Sequence, residues 1–283
     1  MERKTFPGMT REAFVSEADR RALAALERLP LLPLLIRKFF ESGIDRWMYV
    51  FNMGHAFRCG PNQYPPLHKM LVESCAVLDM PEPELYLANN PFMNAHAGGV
   101  ERPYIVLRSS IVDGLNDEEL YHLIGHELGH IKAGHILYFS VARVLFLLLE
   151  MLGRRTLGLS DAASLGLAIA FYEWIRQAEV SADRAGLLVS QSLSVSLDAN
   201  LKMCGGSTRF SHEMSREAFL EQARTYQNTE LRDSIGKMIW FMLMNWQSTH
   251  PMFVHRVQQL ERWVQAGEFD RNLAGSYPKS EAA

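Results

Sequence analysis

Cysteine is scarce in this 283-residue sequence, which contains only Cys59, Cys75 and Cys204 and no C-x-x-C pair. An odd number of cysteines without paired spacing argues against a disulfide framework and is typical of a reduced setting. Residues 1–19 are polar and contain no apolar stretch, so we do not expect a secretory signal. Both absences favour a cytoplasmic protein.

Long apolar runs and a strong charge imbalance are also missing. The apolar segments at 136–149 and 157–174 each fall short of about 18 uninterrupted apolar residues, the length that indicates a membrane-spanning helix. We therefore predict that 136–174 forms a buried helical hairpin; peripheral membrane contact stays open but is not favoured. The formal net charge of −3 gives no reason to expect nucleic-acid binding.

The most informative pattern is H-E-x-x-H, formed by His126, Glu127 and His130. Asn116 and Glu119 have the spacing of a helix N-cap and its partner, and apolar residues recur at helical intervals after them. Four residues apart on a helix, the two imidazoles share one face and can occupy two corners of a tetrahedral zinc site. Glu127 can reach a metal-bound water without binding the metal. By composition the pattern arises by chance in roughly a few per cent of such chains, so a third ligand is required.

The third ligand is best sought downstream, where Glu179 and Asp183 lie four residues apart on a predicted helix. Glu179 would bind the metal, and Asp183 would accept a hydrogen bond from the far nitrogen of a ligating histidine. The alternative is an ordinary solvated face, on which these carboxylates pair with Arg176 and Arg184. Glu173 is a competing ligand, but it has no acidic partner one turn further on.

Four blocks in this order resemble the HtpX-like and CAAX-prenyl-protease-type zinc metalloendopeptidases, which are gluzincins. The blocks are N-A-H-A-G-G at 94–99, the metal helix at 117–130 with His135 after it, E-V-S-A-D at 179–183, and S-T-H-P at 248–251 with Arg256. The resemblance implies an α+β, predominantly α-helical fold, with a zincin (gluzincin) metallopeptidase core and a small β-sheet beside the metal-binding helix.

The resemblance also implies roles for individual residues. Zn²⁺ would be bound by His126, His130 and Glu179. Glu127 would be the general base, and Asp183 would support a ligating histidine from behind.

Two further elements carry candidate roles with alternatives. In the family, the block containing Asn94, Ala95 and His96 lies near an edge strand along which an extended peptide docks through main-chain hydrogen bonds. These residues are therefore candidate substrate-binding residues; the alternative is a Gly-Gly hairpin turn without a substrate role. His96 departs from the family, which more often has an aromatic or aliphatic residue there. His250 is a candidate catalytic donor to the oxyanion, or simply marks the start of a helix.

The remaining pattern suggests three parts. We predict a helical N-terminal extension packed on the core at 1–80, the catalytic domain at 81–265 and a flexible tail at 266–283. Strand-like segments rich in aromatic and branched residues lie at 84–88 and 104–107.

The sequence thus predicts a zinc metalloendopeptidase that hydrolyses internal peptide bonds of unfolded or extended polypeptides. One alternative is a non-proteolytic zinc-containing binding or chaperone-like module on the same fold. Glu127 argues against it, because a structural zinc site needs no base and usually has four protein ligands. A second alternative is an integral membrane peptidase. The sequence indicates neither the natural substrate nor an oligomeric state.

Overall fold

The computed structural model describes residues 3–143, 162–206, 208–227 and 253–280. The helices are α1 (Glu17–Glu27), α2 (Leu32–Ser42), α3 (Ile44–His55), α4 (Pro65–Leu78), α5 (Ser109–Gly114), α6 (Asp117–Ala133), α7 (135–143), α8 (Ala162–Ser190), α9 (Leu193–Gly205), α10 (Arg216–Gln227), α11 (Phe253–Gln265) and α12 (Glu268–Leu273). The strands are β1 (Phe57–Arg58), β2 (Glu84–Ala88), β3 (Ala95–Gly98) and β4 (Tyr104–Arg108). The predicted α+β, mainly helical class is confirmed.

The four strands form one mixed sheet in the order β1-β2-β4-β3. The central strands β2 and β4 are parallel, and both predicted strand segments are confirmed. β3 lies at one end of this sheet, antiparallel to β4, with Ala95 opposite Leu107 and Ala97 opposite Ile105. The chain turns after β3 at Gly99, which has a φ of 78°. The block at 94–99 is therefore both an edge strand and the turn that follows it.

Helix α6 begins and ends as its sequence predicts. Asn116 and Glu119 form a complete capping box, in which the side chain of each accepts a hydrogen bond from the backbone N–H of the other. Gly134 ends the helix in the left-handed conformation that glycine adopts without steric cost. Nearly every residue between these ends is buried. A helix buried on all sides lies in the core, so its polar residues must find partners inside the protein.

Helices α6 and α8 pack unusually closely because glycines line their contact. A Cβ atom added at Gly125 would lie 2.7 Å from the Val189 side chain, and one at Gly129 would lie 2.6 Å from Ala185 Cβ. From the other side, a Cβ at Gly186 would lie 2.7 Å from the His122 ring. These distances are too short for real side chains, so the three glycines allow the two backbones to approach.

Two apolar clusters flank the middle of α8. One contains the sheet, α4, much of α6 and the last turns of α8, including Leu187. The other contains parts of α1, α2, α7 and the first half of α8, including Trp174. Between them α8 carries three buried polar residues, Glu179, Ser181 and Asp183. A polar layer thus crosses the interior where α8 passes from one cluster to the other.

The two ends of the chain pack together. Phe6 and Tyr277 meet edge to face, with ring centroids 5.6 Å apart, and the Asn272 side chain donates a hydrogen bond to Ala13 O at 3.1 Å. Phe269 is buried in the larger apolar cluster. The segment expected to be a flexible tail instead forms helix α12 and returns to the N-terminal segment, because Phe269 gives it an apolar face to bury.

Within the described residues, no helix has the length and apolarity needed to cross a membrane. The predicted hairpin at 136–174 includes residues 144–161, which lie outside the described part of the chain.

Candidate metal centre

Two imidazoles from α6 and one carboxylate from α8 converge in the interior. His126 Nε2 and His130 Nε2 lie 3.2 Å apart. The Glu179 carboxylate faces both, with Oε2 3.5 Å from His126 Nε2 and Oε1 3.4 Å from His130 Nε2. One potential ligand atom from each of the three residues lies within 4.8 Å of the others, and all three residues are buried. The three side chains are therefore close enough to share one ion.

The far nitrogen of His126 contacts Asp183. Its Nδ1 lies 2.9 Å from Asp183 Oδ1. Arg256 donates to both oxygens of the same carboxylate, from Nε at 2.8 Å and from Nη2 at 2.5 Å. Burial alone would raise the pKa of Asp183, but the charge and hydrogen bonds of Arg256 outweigh it and hold that pKa well below its usual range. An ionised carboxylate can only accept, so His126 Nδ1 carries the proton and its Nε2 carries a lone pair.

The far nitrogen of His130 contacts a second histidine. His130 Nδ1 lies 3.0 Å from His135 Nδ1, and His135 Nε2 lies 3.1 Å from Asp19 Oδ2. Asp19 also accepts from Trp174 Nε1 at 3.1 Å and from Ser181 Oγ at 2.6 Å. Burial would raise the pKa of Asp19, but its contact with His135 and these hydrogen bonds lower it. Asp19 is thus a buried carboxylate surrounded by donors.

The arrangement fits a metal ion. The His126 lone pair points at the region shared with His130 and Glu179, and a carboxylate lies within 3.5 Å of both imidazoles. Arg256 Nη1 lies 3.2 Å from Glu179 Oε2 and balances part of the buried charge, and a cation bound between the imidazoles and the carboxylate would stabilise the cluster further. Burial alone would lower the pKa of His126, but the Asp183 and Glu179 carboxylates outweigh it and raise that pKa. Burial lowers the pKa of His130 to about 4, which favours the neutral ring that a metal needs.

Glu127 lies where a pocket meets this cluster. The residue is fully buried, and it lines the pocket together with His130 and Glu179. The opposite walls come from the edge strand β3 and from α7; their lining residues are His96, Ala97, Ile136, Phe139 and Arg143. A carboxylate, the candidate ligands and a strand edge therefore border a single pocket.

The candidate substrate-binding residues occupy β3 or the position before it. Asn94 O accepts a hydrogen bond from Arg108 N at 3.1 Å, and Ala95 is fully buried in the larger apolar cluster. His96 lines the pocket. Of the three, His96 is the one whose position gives it access to a substrate in the pocket. The candidate catalytic residue His250 lies outside the described residues.

The competing residues lie elsewhere. Glu173 is exposed and pairs with Arg176 at 2.9 Å, so it is not beside the histidines. The solvated-face alternative for the α8 carboxylates is wrong, because Glu179 and Asp183 are both fully buried. His122 is also buried but lies behind the cluster. Its Nε2 is 3.3 Å from Asn200 Nδ2, and burial lowers its pKa to about 4.

Sequence reasoning missed two residues of this centre. His135 follows the metal helix in the family resemblance but has no predicted role, because it falls off the ligand face of α6. It reaches His130 because the left-handed Gly134 reverses the chain direction and starts α7 at residue 135. The histidine five residues after the H-E-x-x-H pattern was the available signal. Asp19 had no signal, since it lies on a separate helix far away in the sequence.

Comparison with known proteins places the site in a family context. The model of peptidase family M48 matches residues 61–264. This span includes the candidate ligands, Glu127, His135, Asp183 and Arg256, whereas Asp19 lies outside it.

Individual relatives match over most of the chain. The plastoglobule-localized metallopeptidase 48 of Arabidopsis thaliana, described as chloroplastic, is 28% identical over 285 residues, which cover 97% of this chain and 79% of the relative. A protease HtpX homolog of Burkholderia ambifaria is 25% identical over 265 residues, 86% of this chain and 89% of the relative. A protease HtpX homolog of Burkholderia cenocepacia is 24% identical over 266 residues, which cover 84% of this chain and 90% of the relative. No solved structure matches the chain.

Proposed function

The chain belongs to peptidase family M48 and is a metallopeptidase, and from this premise we propose that it is a zinc-dependent endopeptidase that cleaves unfolded or extended polypeptides. The predicted resemblance to HtpX-like metalloproteases is confirmed. The observation that carries the proposal is the convergence of His126, His130 and Glu179 beside Glu127, at a pocket bordered by an edge strand.

The donor set supports zinc. Two imidazole nitrogens and one carboxylate match the three protein ligands of catalytic zinc sites, which leave a fourth position open. We propose His126, His130 and Glu179 as these ligands. Asp183 accepts the Nδ1 proton of His126 and so keeps its Nε2 free for the metal. Zinc bound there supplies a Lewis acid that activates water and polarises a carbonyl group.

Glu127 is the proposed general base. It follows the first ligand on α6, so its side chain points about 100° away from that ligand and towards the pocket rather than into the ligand set. In this role its carboxylate takes a proton from the attacking water and delivers it to the leaving amine. Burial keeps competing water away and strengthens the electrostatic interactions of the carboxylate.

The edge strand supports cleavage of internal bonds in extended chains. Among the described strands, β3 stands at the end of the sheet order, and its residues His96 and Ala97 line the pocket that contains Glu127, so we propose β3 as the strand along which an extended polypeptide lies through main-chain hydrogen bonds. Such bonds hold a substrate without demanding a particular side-chain sequence. We propose that Asn94, Ala95 and His96 contribute to this binding: Ala95 through its backbone, His96 through its ring, and Asn94 through its side chain, because its backbone carbonyl oxygen already accepts from Arg108 N. His250 remains a proposed donor to the oxyanion.

The test is Glu127→Gln, with degradation of an unfolded protein such as casein as the assay. Proton transfer by a positioned group contributes about 10²- to 10⁴-fold, so cleavage should fall by at least that factor. Zinc content and melting temperature should stay close to wild type, because no ligand is lost. Glu173→Gln is a matched control: it neutralises an exposed carboxylate on α8 and should retain full activity.

Mass spectrometry of the products should show internal fragments rather than stepwise removal of terminal residues. If wild type and Glu127→Gln bind zinc equally and neither cleaves any unfolded polypeptide, the peptidase mechanism is refuted and a zinc-containing binding module takes its place.

A further inference from the structure

The N-terminal helix α1 reaches the candidate metal centre. Asp19 is 1% exposed, and the three side chains that contact its carboxylate are buried as well. Its partners His135, Trp174 and Ser181 belong to α7 and α8, not to its own helix. Ser181 also accepts a hydrogen bond from Ser16 N at 3.0 Å, so the start of α1 is fixed against α8. Burying a carboxylate costs free energy unless hydrogen bonds or an opposite charge compensate for the lost hydration.

The direction of each hydrogen bond around Asp19 follows from the chemistry of the partners. The indole N–H of Trp174 can only donate, and Asp19 Oδ1 accepts it at 3.1 Å. Asp19 Oδ2 accepts from Ser181 and lies 3.1 Å from His135 Nε2. As a carboxylate, Asp19 has no proton to give, so His135 Nε2 must be the donor.

The same reasoning continues to the metal ligand. A neutral imidazole has one N–H and one lone pair. With its proton on Nε2, His135 presents a lone pair at Nδ1, which lies 3.0 Å from His130 Nδ1. His130 must then donate from Nδ1, and its own lone pair is at Nε2. That is the atom 3.2 Å from His126 Nε2 and 3.4 Å from Glu179 Oε1.

We propose that Asp19 and His135 are positioning residues that set the tautomer of His130 and thereby complete the metal site from the N-terminal helix. The inference rests on the proposed zinc site and adds to it a residue that lies outside the family match at 61–264. The N-terminal segment is in this respect part of the catalytic unit, rather than an extension packed on it.

The central experiment is Asp19→Asn, read out by zinc affinity in competition with a chelator. The amide must place its oxygen towards Trp174, because that N–H cannot accept. Its NH₂ group then faces His135 and donates to Nε2, which reverses both tautomers and puts a proton on His130 Nε2. Zinc binding must displace that proton, so the affinity should fall by about 10- to 100-fold, the range seen when support behind a ligating histidine is lost.

Ser181→Ala is the matched control. It removes another hydrogen bond to the same carboxylate oxygen but leaves Asp19 able to accept from His135. A merely structural role for Asp19 predicts that both variants lower the melting temperature and weaken zinc binding alike. The tautomer role predicts that both lose stability while Ser181→Ala keeps the zinc affinity of wild type.

A second pair of variants, at His135, tests the positioning role if Asp19→Asn does not fold. His135→Phe keeps a ring beside Phe139 and Trp174 but removes the acceptor; His135→Asn restores an acceptor at the position of Nδ1. Zinc affinity should fall about 10- to 100-fold in His135→Phe and recover most of that loss in His135→Asn. Long-range ¹H–¹⁵N spectra of the zinc-loaded wild type should show the protons on His130 Nδ1 and His135 Nε2.

The outcomes separate this inference from the proposed function. Wild-type zinc affinity in both Asp19→Asn and His135→Phe would overturn the positioning role and leave the zinc peptidase intact. Equal weakening in Asp19→Asn and Ser181→Ala would also overturn it, in favour of packing. Failure of the wild type itself to bind zinc would refute the proposed function.

Discussion

The two histidines of the metal centre lie one turn apart on α6, yet the protein holds them in different ways. His126 contacts the Asp183 carboxylate directly, and Arg256 donates two hydrogen bonds to that carboxylate. His130 contacts a second imidazole, which in turn contacts Asp19. The first arrangement contains a buried cation and the second contains none among its described contacts. The first draws on α8 and α11, whereas the second draws on α7 and α1.

The difference shows how one requirement can be met by two chemistries. Each ligand needs an acceptor at Nδ1 so that Nε2 is free for a metal. A carboxylate beside His126 requires compensation for its buried charge, and Arg256 provides it. On the His130 side the buried carboxylate is Asp19, and the ring of His135 lies between it and the ligand. We refer to the contacts behind His126 and those behind His130 as the two sides of the centre. We expect them to respond differently when the supporting aspartate of each is replaced by asparagine.

The largest effect should come from removing Glu179, the proposed ligand that faces both histidines. Glu179→Gln keeps the shape of the side chain but removes the charge that faces both imidazoles. Zinc affinity should fall by more than the about 10- to 100-fold expected for a supporting residue, because a ligand is lost. Metal analysis after dialysis measures this, with Glu173→Gln as the control that should retain zinc. Retention of stoichiometric zinc in Glu179→Gln at low free zinc would exclude Glu179 as a ligand.

The second effect compares the two sides directly. Asp183→Asn should destabilise the zinc-free protein by about 3–5 kcal/mol, because it leaves Arg256 buried without its main partner. Asp19→Asn leaves no hydrogen-bonded guanidinium without its partner and should cost less, about 1–3 kcal/mol. Denaturant unfolding of the two variants in chelator measures both values. A double variant, Asp183→Asn with Arg256→Met, should recover part of the stability but none of the zinc affinity. Equal destabilisation by the two single variants would remove the distinction between the sides.

The third effect concerns the spacing of α6 and α8, on which both sides depend. Gly129→Ala should destabilise the protein by about 1–3 kcal/mol, because the new Cβ would lie 2.6 Å from Ala185 Cβ and would push the helices apart. Zinc affinity should fall with it, since α8 carries Glu179. Gly166→Ala is the control, because its added Cβ meets no neighbouring atom of the described residues within 4 Å. That variant should be stabilised by roughly 0.5–1 kcal/mol. Loss of stability in both variants would mean that close packing is not the cause.

The smallest effect near neutral pH is the dependence of the protein's stability on pH, which becomes large only in acid. The pKa values of Asp183 and Asp19 are both lower in the folded protein than in the unfolded chain. Their stabilising contributions are therefore complete above about pH 5, and they are lost as the pH falls through the unfolded-state pKa towards the folded-state values. Stability of the zinc-free protein should be flat with respect to these groups from pH 7 to about 5 and then fall by up to about 1.4 kcal/mol per pH unit for each carboxylate. Asp183→Asn should show a shallower acid limb than wild type; an identical slope would contradict the assignment.

Sequence reasoning located much of this fold because local rules agree with the packing. The capping pair at Asn116 and Glu119 and the glycine at 134 mark both ends of α6, and the tertiary structure uses the same ends. The strand segments at 84–88 and 104–107 were likewise predictable from their branched and aromatic residues. The pair Glu179 and Asp183 was found through its helical spacing, and the structure places both carboxylates beside the α6 histidines.

What could not be predicted depends on contacts between distant elements. Nothing in the neighbourhood of Asp19 distinguishes it from other acidic residues near a helix start, and its role follows from the docking of α1 against α8. On a continued α6 His135 would lie off the ligand face, but the helix ends at Gly134 and the His135 ring contacts His130. The end of the chain was predicted to be a tail because its burial depends on an N-terminal partner, Phe6, more than 250 residues away.

The sequence separations within the polar layer have a consequence for biosynthesis. Asp183 and Arg256 lie 73 residues apart, and Ser181 and Asp19 lie 162 residues apart. A chain emerging from the ribosome therefore contains Glu127 and both α6 histidines well before it contains the guanidinium that holds Asp183 ionised. Closing such long loops is slow compared with forming helices. Nascent chains that stop short of Arg256 consequently lack the cation that contacts Asp183 and Glu179, so the candidate centre is completed only after most of the chain has been made.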